Sequence, residues 1–302
     1  MTTHSRADQR KTKLIIGLLN GLSYLPLGVM QSIGAGVGRL MWWIPNASKR
    51  HTLINLSLCY PHLSVSEREQ LAKRSLIETA RFGFEMGAIW SWSKEKCLSL
   101  IKQVNNESLF KNAVAQKKGV LVILPHLGNW EVLGPYMGLH ASVTALYKPP
   151  KIAALEQVIK NARERNELAT VPTNRRGVMA LLKALKAGEV VVILPDQEPN
   201  ERHSGVFAPF MGVNALTMTL IHGLLQKTDA IPLFMFATRD TQRASFTLHV
   251  ASANKAIRNE DKVASATALN EGIAECVAEA PEQYQWEYKR FKQQPDNTRH
   301  YS

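Results

Sequence analysis

The chain has 302 residues, of which 45% are apolar, so it can bury a large core as one big domain or two small ones. Its formal net charge of +12 predicts anionic partners, namely nucleic acid, anionic lipid or an acidic carrier protein. Three widely spaced cysteines, with no C-x-x-C pair, argue against a disulfide framework and a zinc site and fit a reducing compartment.

The N-terminal segment combines a basic start with a long uncharged run. Residues 1–13 are polar and basic, whereas residues 14–38 carry no charge and are numerous enough to cross a bilayer. Pro26 and six glycines in that run also fit a kinked or interfacial arrangement. Trp42 and Trp43, which follow Arg39, are typical of an interfacial anchor. We therefore predict a basic N-terminus and membrane anchor over residues 1–44, with a buried core hairpin as the alternative.

The remaining residues, 45–302, form one predicted domain because no linker rich in Pro, Gly or Ser divides them. A capping box formed by Ser66 and Glu69 predicts the start of a long helix. Apolar runs predict strands at 120–124, 142–147, 190–194, 231–238 and 245–250, the last two as antiparallel neighbours. Helical spacing predicts helices at 133–139, 152–168, 217–226 and 264–278, with a further helix ending at Gly188. The fold class is thus α/β, a single mixed-sheet domain flanked by helices and preceded by an apolar membrane-anchor helix.

The stretch Val120–Gly134 carries the first candidate site. It reads as a buried strand that Pro125 ends, followed by a tight turn at Gly128 and the start of a helix. His126 and Glu131 then face each other across a corner within hydrogen-bond reach. Glu131 would fix the histidine tautomer and leave the second ring nitrogen as a base. The alternative is that Glu131 caps its own helix and His126 is a turn residue.

A second stretch, Val190–Asp196, repeats this pattern: VVVILPD follows VLVILPH. Two buried strands therefore end in the same Ile-Leu-Pro step, and each presents a polar residue. Because ligands in α/β sheets bind outside the carboxyl ends of the strands, His126 and Asp196 are expected to border one crevice. A turn or helix-cap role for Asp196 is the alternative.

The apolar segment Gly205–Gly212 (GVFAPFMG) either lines a pocket for an alkyl chain or folds onto the core. The chain has no G-x-S-x-G elbow and no P-loop, which argues against a serine hydrolase and an NTPase. A general base, an oxyanion donor and two grooves suffice for acyl transfer to a hydroxyl group without a covalent enzyme intermediate.

Several motifs resemble those of the bacterial late acyltransferases of lipid A biosynthesis, the lauroyl/myristoyl acyltransferase family. The first is His126–Glu131 (HLGNWE), similar to the H-x-G-N-W-E signature of that family. The others are YKP at 147–149, LPDQ at 194–197, VFAPFMG at 206–212, PEQYQW at 281–286 and KRFK at 289–292. Broader H-x4-D glycerolipid acyltransferases fit less well, since the acid here is Glu and their F-P-E-G-type motif is absent.

The resemblance implies transfer of a fatty acyl chain from acyl carrier protein to the 3-hydroxyl of an acyl chain on a lipid A precursor. His126 would be the general base and Glu131 its orienter, with Arg163 and Asp196 stabilising the site. The expected substrate-binding residues are Asn129, Lys148, Arg176, Phe207, Phe210 and Met211. The chain departs from the pattern of this family at two places. Lys148 stands where arginine is common, and Glu287-Tyr288 stands where a histidine often follows the tryptophan.

The resemblance implies no cofactor and no metal, with acyl-ACP as the donor substrate. Expected partners are acyl carrier protein, the lipid A precursor and anionic inner-membrane lipid, but no nucleic acid. The expected location is the bacterial inner membrane, with the catalytic domain facing the cytoplasm. Candidates for meeting these anions are Lys148, Arg163, Arg175, Arg176 and Arg239, each of which could instead be a solvated surface charge. Alternative functions are acyl transfer to another membrane acceptor (lysophospholipid, ornithine lipid or glycolipid) and a non-enzymatic membrane adaptor.

Overall fold

The computed structural model describes residues 17, 21–147, 159, 161–163, 165 and 168–301. The helices are α1 Leu27–Trp43, α2 Ala47–Cys59, α3 Val65–Ser91, α4 Lys94–Ser99, α5 Glu107–Ala115, α6 Leu133–Met137, α7 Arg175–Lys186, α8 Leu220–Leu225 and α9 Lys262–Glu279. The strands are β1 Ile101–Asn105, β2 Val120–Ile123, β3 Val143–Tyr147, β4 Leu168–Pro172, β5 Val190–Ile193, β6 Gly205–Phe210, β7 Val213–Met218, β8 Ile231–Asp240 and β9 Ser245–Ser252.

Seven strands form one mixed sheet in the order β1-β9-β8-β2-β5-β3-β4, and β6 pairs with β7 in a separate hairpin. Strand β2 is parallel to both of its neighbours, β5 and β8, whereas β8 and β9 are antiparallel. The predicted α/β class, the mixed sheet and the β8/β9 pairing are confirmed. The carboxyl ends of β2 and β5 meet at one edge of the sheet, which is where α/β proteins place their ligands.

The two central strands are buried on both faces because neither carries a polar residue. Val120 and Val122 of β2 point into one apolar core, and Leu121 and Ile123 point into the other. This double burial is the reason for the continuous apolar run, which is typical of central parallel strands. Helices α7, α8 and α9 cover one face, and α5 and α6 cover the other.

Helix α1 lies against α3, and small residues permit a close approach. A Cβ atom on Gly34 would lie 2.7 Å from the backbone of Arg81, and one on Gly38 would lie 2.5 Å from that of Ile77. The opposite face of α1 is apolar yet exposed. It carries Val29, Ile33, Val37, Leu40 and Trp43. Among the helices within the described ranges, none has the length and apolar character to cross a membrane. The predicted anchor helix is thus unconfirmed, and residues 1–16 and 18–20 lie outside the described part of the chain.

Several predicted local structures differ. The capping box is formed by Ser64 and Glu67, two residues before the predicted one. The segment 205–218, predicted as an apolar loop and the start of a helix, forms the β6/β7 hairpin. Within the predicted helix 152–168, the described residues 159, 161–163 and 165 are helical, whereas Leu168 begins β4. Gly188 follows α7 with a φ of +81°, as its predicted helix-ending role requires.

Candidate active site

His126 and Asp196 form a hydrogen-bonded pair at the carboxyl edge of the sheet. Ile123 of β2 is in register with Ile193 of β5, and each strand is followed by the same Leu-Pro step. The third residue after each strand therefore meets its counterpart. Nδ1 of His126 lies 2.6 Å from Oδ1 of Asp196, and the backbone N–H of His126 donates to Oδ2 at 2.8 Å. The predicted proximity of His126 and Asp196 is confirmed.

The electrostatics of this pair favour an ionised Asp196. Burial would raise the pKa of its carboxyl, but the charge of His126 and the hydrogen bonds from its ring and backbone outweigh burial and lower the pKa. An ionised carboxylate only accepts, so Nδ1 of His126 carries the proton. In the neutral form of the ring, the second nitrogen, Nε2, keeps its lone pair and can act as a base.

The loop that carries His126 is fixed by backbone contacts on both sides. The N–H of Gly128 donates to the carbonyl of Gln283 at 2.9 Å, and that of Asn129 donates to the carbonyl of Ala237 at 3.0 Å. Gly128 has a φ of +63°, and a Cβ atom there would lie 1.8 Å from the carbonyl oxygen of Ala237. Glycine is therefore required at this position. The turn is a rigid support for the histidine.

Asn129 acts inside this support. It is fully buried, its Nδ2 donates to Oε2 of Glu85 at 2.8 Å, and its Oδ1 accepts from the N–H of Glu131 at 3.3 Å. This differs from the expected substrate contact, because both ends of the amide are occupied within the protein. Asn129, rather than Glu131, caps the short helical turn Trp130–Val132.

Arg239 also differs from its expected role as a partner of anions. Its side chain is wholly buried, with Nε 2.6 Å from Oε1 of Glu85 and Nη1 2.8 Å from Oε2 of Glu78. Burial alone would lower the pKa of this guanidinium, but the two carboxylates more than compensate and raise it. Arg239 is a structural ion-pair centre beneath the His126 loop.

Glu131 pairs with Arg163 rather than with His126. Oε1 of Glu131 lies 3.5 Å from Nη2 of Arg163, and the guanidinium lies 4.8 Å from the ring centre of Tyr147. The expected orienting contact from Glu131 to His126 is thus replaced by that of Asp196, because the helical turn after Asn129 directs Glu131 towards Arg163. Nη1 of Arg163 is buried without a hydrogen-bond partner among the described residues, so it can donate a hydrogen bond to an oxygen of a ligand.

A small pocket with a mainly apolar lining begins beside this pair. Glu131 and Arg163 are its only charged lining residues within the described ranges. The ring of Trp130 lines the pocket and also lies 4.8 Å from the ring of His126, so the pocket lies close to this histidine. The rest of the lining is apolar and comprises Ile89, Trp90, Leu124, Gly134, Met137, Ala145, Leu146, Ala162, Leu168, Val192 and Leu194.

The segment 205–212 does not line that pocket. Phe210 is 1% exposed in the opposite core, where its ring packs against Tyr284 and Phe291. Phe207 is half-buried beneath the guanidinium of Arg202, and Met211 lies at the hairpin turn with a φ of +50°. This is the alternative considered above, in which the segment folds onto the core, and it corrects the expected substrate-binding role of Phe210.

Comparison with known proteins decides the family. The model of the family described as "Bacterial lipid A biosynthesis acyltransferase" matches residues 2–293. The chain belongs to this family. The acyltransferase is 26% identical to the lipid A biosynthesis lauroyltransferase of Escherichia coli (strain K12) over 286 residues, which cover 94% of this chain and 92% of that protein.

Two further relatives come from the same organism. The lipid A biosynthesis palmitoleoyltransferase is 28% identical over 274 residues, covering 90% of this chain and 87% of that protein. The lipid A biosynthesis myristoyltransferase is 24% identical over 282 residues, covering 92% and 85%. The predicted family is confirmed, and with it the class of activity, an O-acyltransferase of lipid A biosynthesis.

The acyltransferase thus gathers His126, Glu131, Arg163 and Asp196 at one edge of its sheet. Arg176 is exposed in the first turn of α7, and Lys148 lies outside the described residues. Sequence reasoning missed Gln197 and Gln285, whose side chains meet at the histidine. The signal for Gln197 was its place next to Asp196 in the LPDQ motif. Gln285 gave no signal of its own.

Proposed function

We propose that this protein transfers a fatty acyl group from acyl carrier protein to the 3-hydroxyl of an acyl chain on a lipid A precursor. The observation that carries the proposal is the His126–Asp196 pair close to an apolar pocket that has Trp130 and Arg163 in its lining. An acyl thioester needs a groove for its chain, a base for the attacking alcohol and a cation for the developing oxyanion. The apolar pocket, His126 and Arg163 would meet these three requirements in that order.

The pocket is suited to the acyl chain of the donor. Its lining is almost wholly apolar, so each methylene that leaves water there contributes about 0.8 kcal/mol. Since Glu131 and Arg163 supply the polar groups at the pocket, the thioester carbonyl would lie near them with the chain directed inward. The net charge of +12 favours approach by an acidic carrier protein.

The reaction follows from the tautomer that Asp196 fixes. The acceptor hydroxyl gives its proton to Nε2 of His126 while its oxygen attacks the thioester carbonyl carbon, which forms the new C–O bond. The guanidinium of Arg163, oriented by Glu131, stabilises the oxyanion of the tetrahedral intermediate. Collapse of the intermediate breaks the C–S bond, and the imidazolium returns the proton to the departing thiolate. The products are an ester and the free carrier thiol.

Helix α1 supports a position at the membrane surface. Its exposed residues Val29, Ile33, Val37 and Leu40 recur every three to four positions and form one apolar stripe. Trp43 extends this stripe, and the ammonium of Lys73 lies 6.0 Å from its ring. An apolar stripe that ends in Trp beside basic residues is typical of a helix lying in an anionic lipid interface. On this proposal α1 faces the cytoplasmic leaflet of the inner membrane, beside which a lipid acceptor would reach His126.

The test is acyl transfer by the purified full-length protein in mixed micelles containing anionic lipid. With acyl-ACP as donor and the lipid A precursor as acceptor, we expect the mass of the acceptor to rise by one acyl unit. His126→Ala should abolish transfer and leave the circular dichroism spectrum unchanged. His203→Ala, which alters an exposed histidine, is the matched control and should remain active.

The same assay separates the other functions. Lysophospholipid, ornithine lipid and glycolipid are offered in parallel with the lipid A precursor. Acylation of one of these in place of the precursor would replace the proposed acceptor. An absence of transfer from any donor, with stable retention of acyl carrier protein, would favour the alternative of a non-enzymatic membrane adaptor.

A further inference from the structure

The reactive nitrogen of His126 is in contact with the amide of Gln197. Because Nδ1 donates to Asp196, Nε2 is an acceptor, and Nε2 of Gln197 lies 3.4 Å from it. An N–H of Gln197 therefore faces the lone pair that the acceptor hydroxyl would use. In the absence of substrate, Gln197 occupies the direction from which the O–H group must approach.

Gln197 is held in this place by Gln285. The amide nitrogen of Gln197 also donates to Oε1 of Gln285 at 3.1 Å. The backbone N–H of Gln285 in turn donates to the carbonyl of His126 at 3.0 Å. The two glutamines and the histidine thus form one closed set of contacts, which places the carboxamide of Gln197 beside Nε2 of His126.

The backbone around Gln197 is fixed as well. On one side Asp196 is held by His126, and on the other the N–H of Glu198 donates to the hydroxyl of Tyr288 at 2.9 Å. Only the side chain of Gln197 is free to turn when an acceptor enters. A rigid backbone with a turning amide can exchange one hydrogen bond for another at little cost.

We propose that Gln197 selects 3-hydroxyacyl acceptors by donating a hydrogen bond to the acyl carbonyl that lies two carbons from the attacking hydroxyl. This inference rests on the proposed function and adds the group that recognises the acceptor. When the hydroxyl displaces the amide from Nε2 of His126, the released N–H of Gln197 lies beside the hydroxyl oxygen. In a 3-hydroxyacyl group the carbonyl carbon lies two carbons from the carbon that bears the hydroxyl, so the carbonyl oxygen can reach this N–H. A simple alcohol has no hydrogen-bond acceptor at that place. Gln197 is therefore a binding and positioning residue, and the proton still passes to His126.

The experiment compares two acceptors that differ only in this carbonyl. One is a 3-hydroxyacyl glucosamine lipid, and the other is its analogue in which a methylene replaces the carbonyl. For the wild-type enzyme with acyl-ACP we expect kcat/KM to be about 10- to 100-fold higher for the carbonyl acceptor, since a site built to donate a hydrogen bond rejects a ligand without its acceptor. Gln197→Leu should reduce this ratio to near one, mainly through a higher KM for the carbonyl acceptor.

Two further variants keep the test decisive. Gln197→Glu preserves size but removes the N–H donor, so it should lose the preference even if the leucine variant folds poorly. Gln103→Leu alters an exposed glutamine on β1 and should keep the wild-type ratio. Slow hydrolysis of acyl-ACP to free fatty acid, measured without acceptor, should be unchanged in Gln103→Leu, and its rate in Gln197→Leu reports the state of the base and the donor pocket.

The outcomes are distinct. An unchanged acceptor ratio in both Gln197→Leu and Gln197→Glu would overturn the inference and leave the proposed function standing. If the wild-type enzyme transferred no acyl group to the carbonyl acceptor, the proposed function would fail and the inference would fail with it. A loss of donor hydrolysis equal to the loss of transfer would assign Gln197 to support of the base instead.

Discussion

Asp196 contacts His126 through both of its carboxylate oxygens, one on the ring and one on the backbone, although 70 positions separate the two residues. The backbone contact holds the loop and the ring contact holds the tautomer. A single side chain therefore sets both the position and the tautomer of the His126 ring. Glu131, the nearer carboxylate in sequence, is engaged with Arg163.

The first prediction separates the roles of these two acids. Asp196→Asn should lower kcat by about 10²- to 10⁴-fold, the contribution of a positioned general base. It should also change the pH profile of kcat, because an amide can hold either tautomer. Glu131→Gln should lower kcat through Arg163 but leave the shape of the pH profile unchanged. Steady-state kinetics with acyl-ACP across the pH range measure kcat and its pH profile for the two variants.

Asp229→Asn, a change at an exposed aspartate, is the control for loss of a negative charge. If Glu131→Gln altered the pH profile and Asp196→Asn did not, Glu131 would be the orienter after all.

The second prediction concerns the length of the transferred chain. Ala145 of β3 lines the apolar pocket, and replacing it with leucine fills part of the volume that a donor chain would occupy. Ala145→Leu should shift the preferred donor to a chain shorter by about two methylenes, each contributing about 0.8 kcal/mol to binding. Competition among acyl-ACPs of different lengths, followed by mass spectrometry of the product, measures the shift. Ala115→Leu on the exposed side of α5 should leave the preference unchanged.

The third prediction concerns the buried ion pair beneath the His126 loop. Oε1 and Oε2 of Glu85 accept from Arg239 at 2.6 and 2.8 Å, and Glu85 also accepts from Gln31 and Asn129. Glu85→Gln leaves the buried guanidinium poorly compensated, so the free energy of unfolding should fall by about 3–5 kcal/mol. Urea denaturation measures this change.

Glu95→Gln, at an exposed glutamate, should change the stability by less than about 0.5 kcal/mol. A loss of similar size in both variants would mean that Glu85 is not the counter-charge of Arg239. The double variant Glu85→Leu with Arg239→Met removes both members of this pair and leaves Glu78 paired with Arg81, and it should be less destabilised than Glu85→Gln.

The fourth prediction uses two carboxyls whose pKa values shift in opposite directions. The pKa of Asp196 is lowered from 3.8, because His126 outweighs burial, so the stability that it contributes is full above pH 3.8 and is lost as pH falls below that value. Burial raises the pKa of Glu287 above 4.5, so the folded state loses stability as pH rises through and beyond 4.5.

Urea denaturation at several pH values measures the free energy of unfolding of each variant relative to the wild type, and the two variants should change in opposite directions with pH. The stability of Asp196→Asn relative to the wild type should improve as pH falls below 3.8. That of Glu287→Gln should improve as pH rises above 4.5. An effect of the same sign in both variants would contradict the opposite shifts.

Much of the sheet and half of the site could be predicted because local patterns determine them. The runs at 120–124 and 190–194 are apolar on both faces, which predicts central parallel strands. Their identical Ile-Leu-Pro endings then predict that His126 and Asp196 border one crevice. The direct pairing of these two was missed because Glu131 lay closer in sequence, and its partner Arg163 comes from a distant segment that carries no local signal.

The missed strands have physical reasons. Strand β1 is at the edge of the sheet, so Lys102 and Gln103 can face solvent and hide the apolar signal. Pro209 argued against a strand, but β6 belongs to a two-stranded hairpin in which a missing N–H donor is tolerated. Phe210 was read as a lining residue because a sequence shows that a side chain is apolar, not which apolar space it enters.

The loop that carries His126 is held by backbone contacts from a segment much later in the chain. Gln283, Tyr284 and Gln285 bind the backbone of the loop at Gly128, Leu127 and His126. The position of His126 therefore depends on backbone contacts with a segment that is distant from it in the sequence.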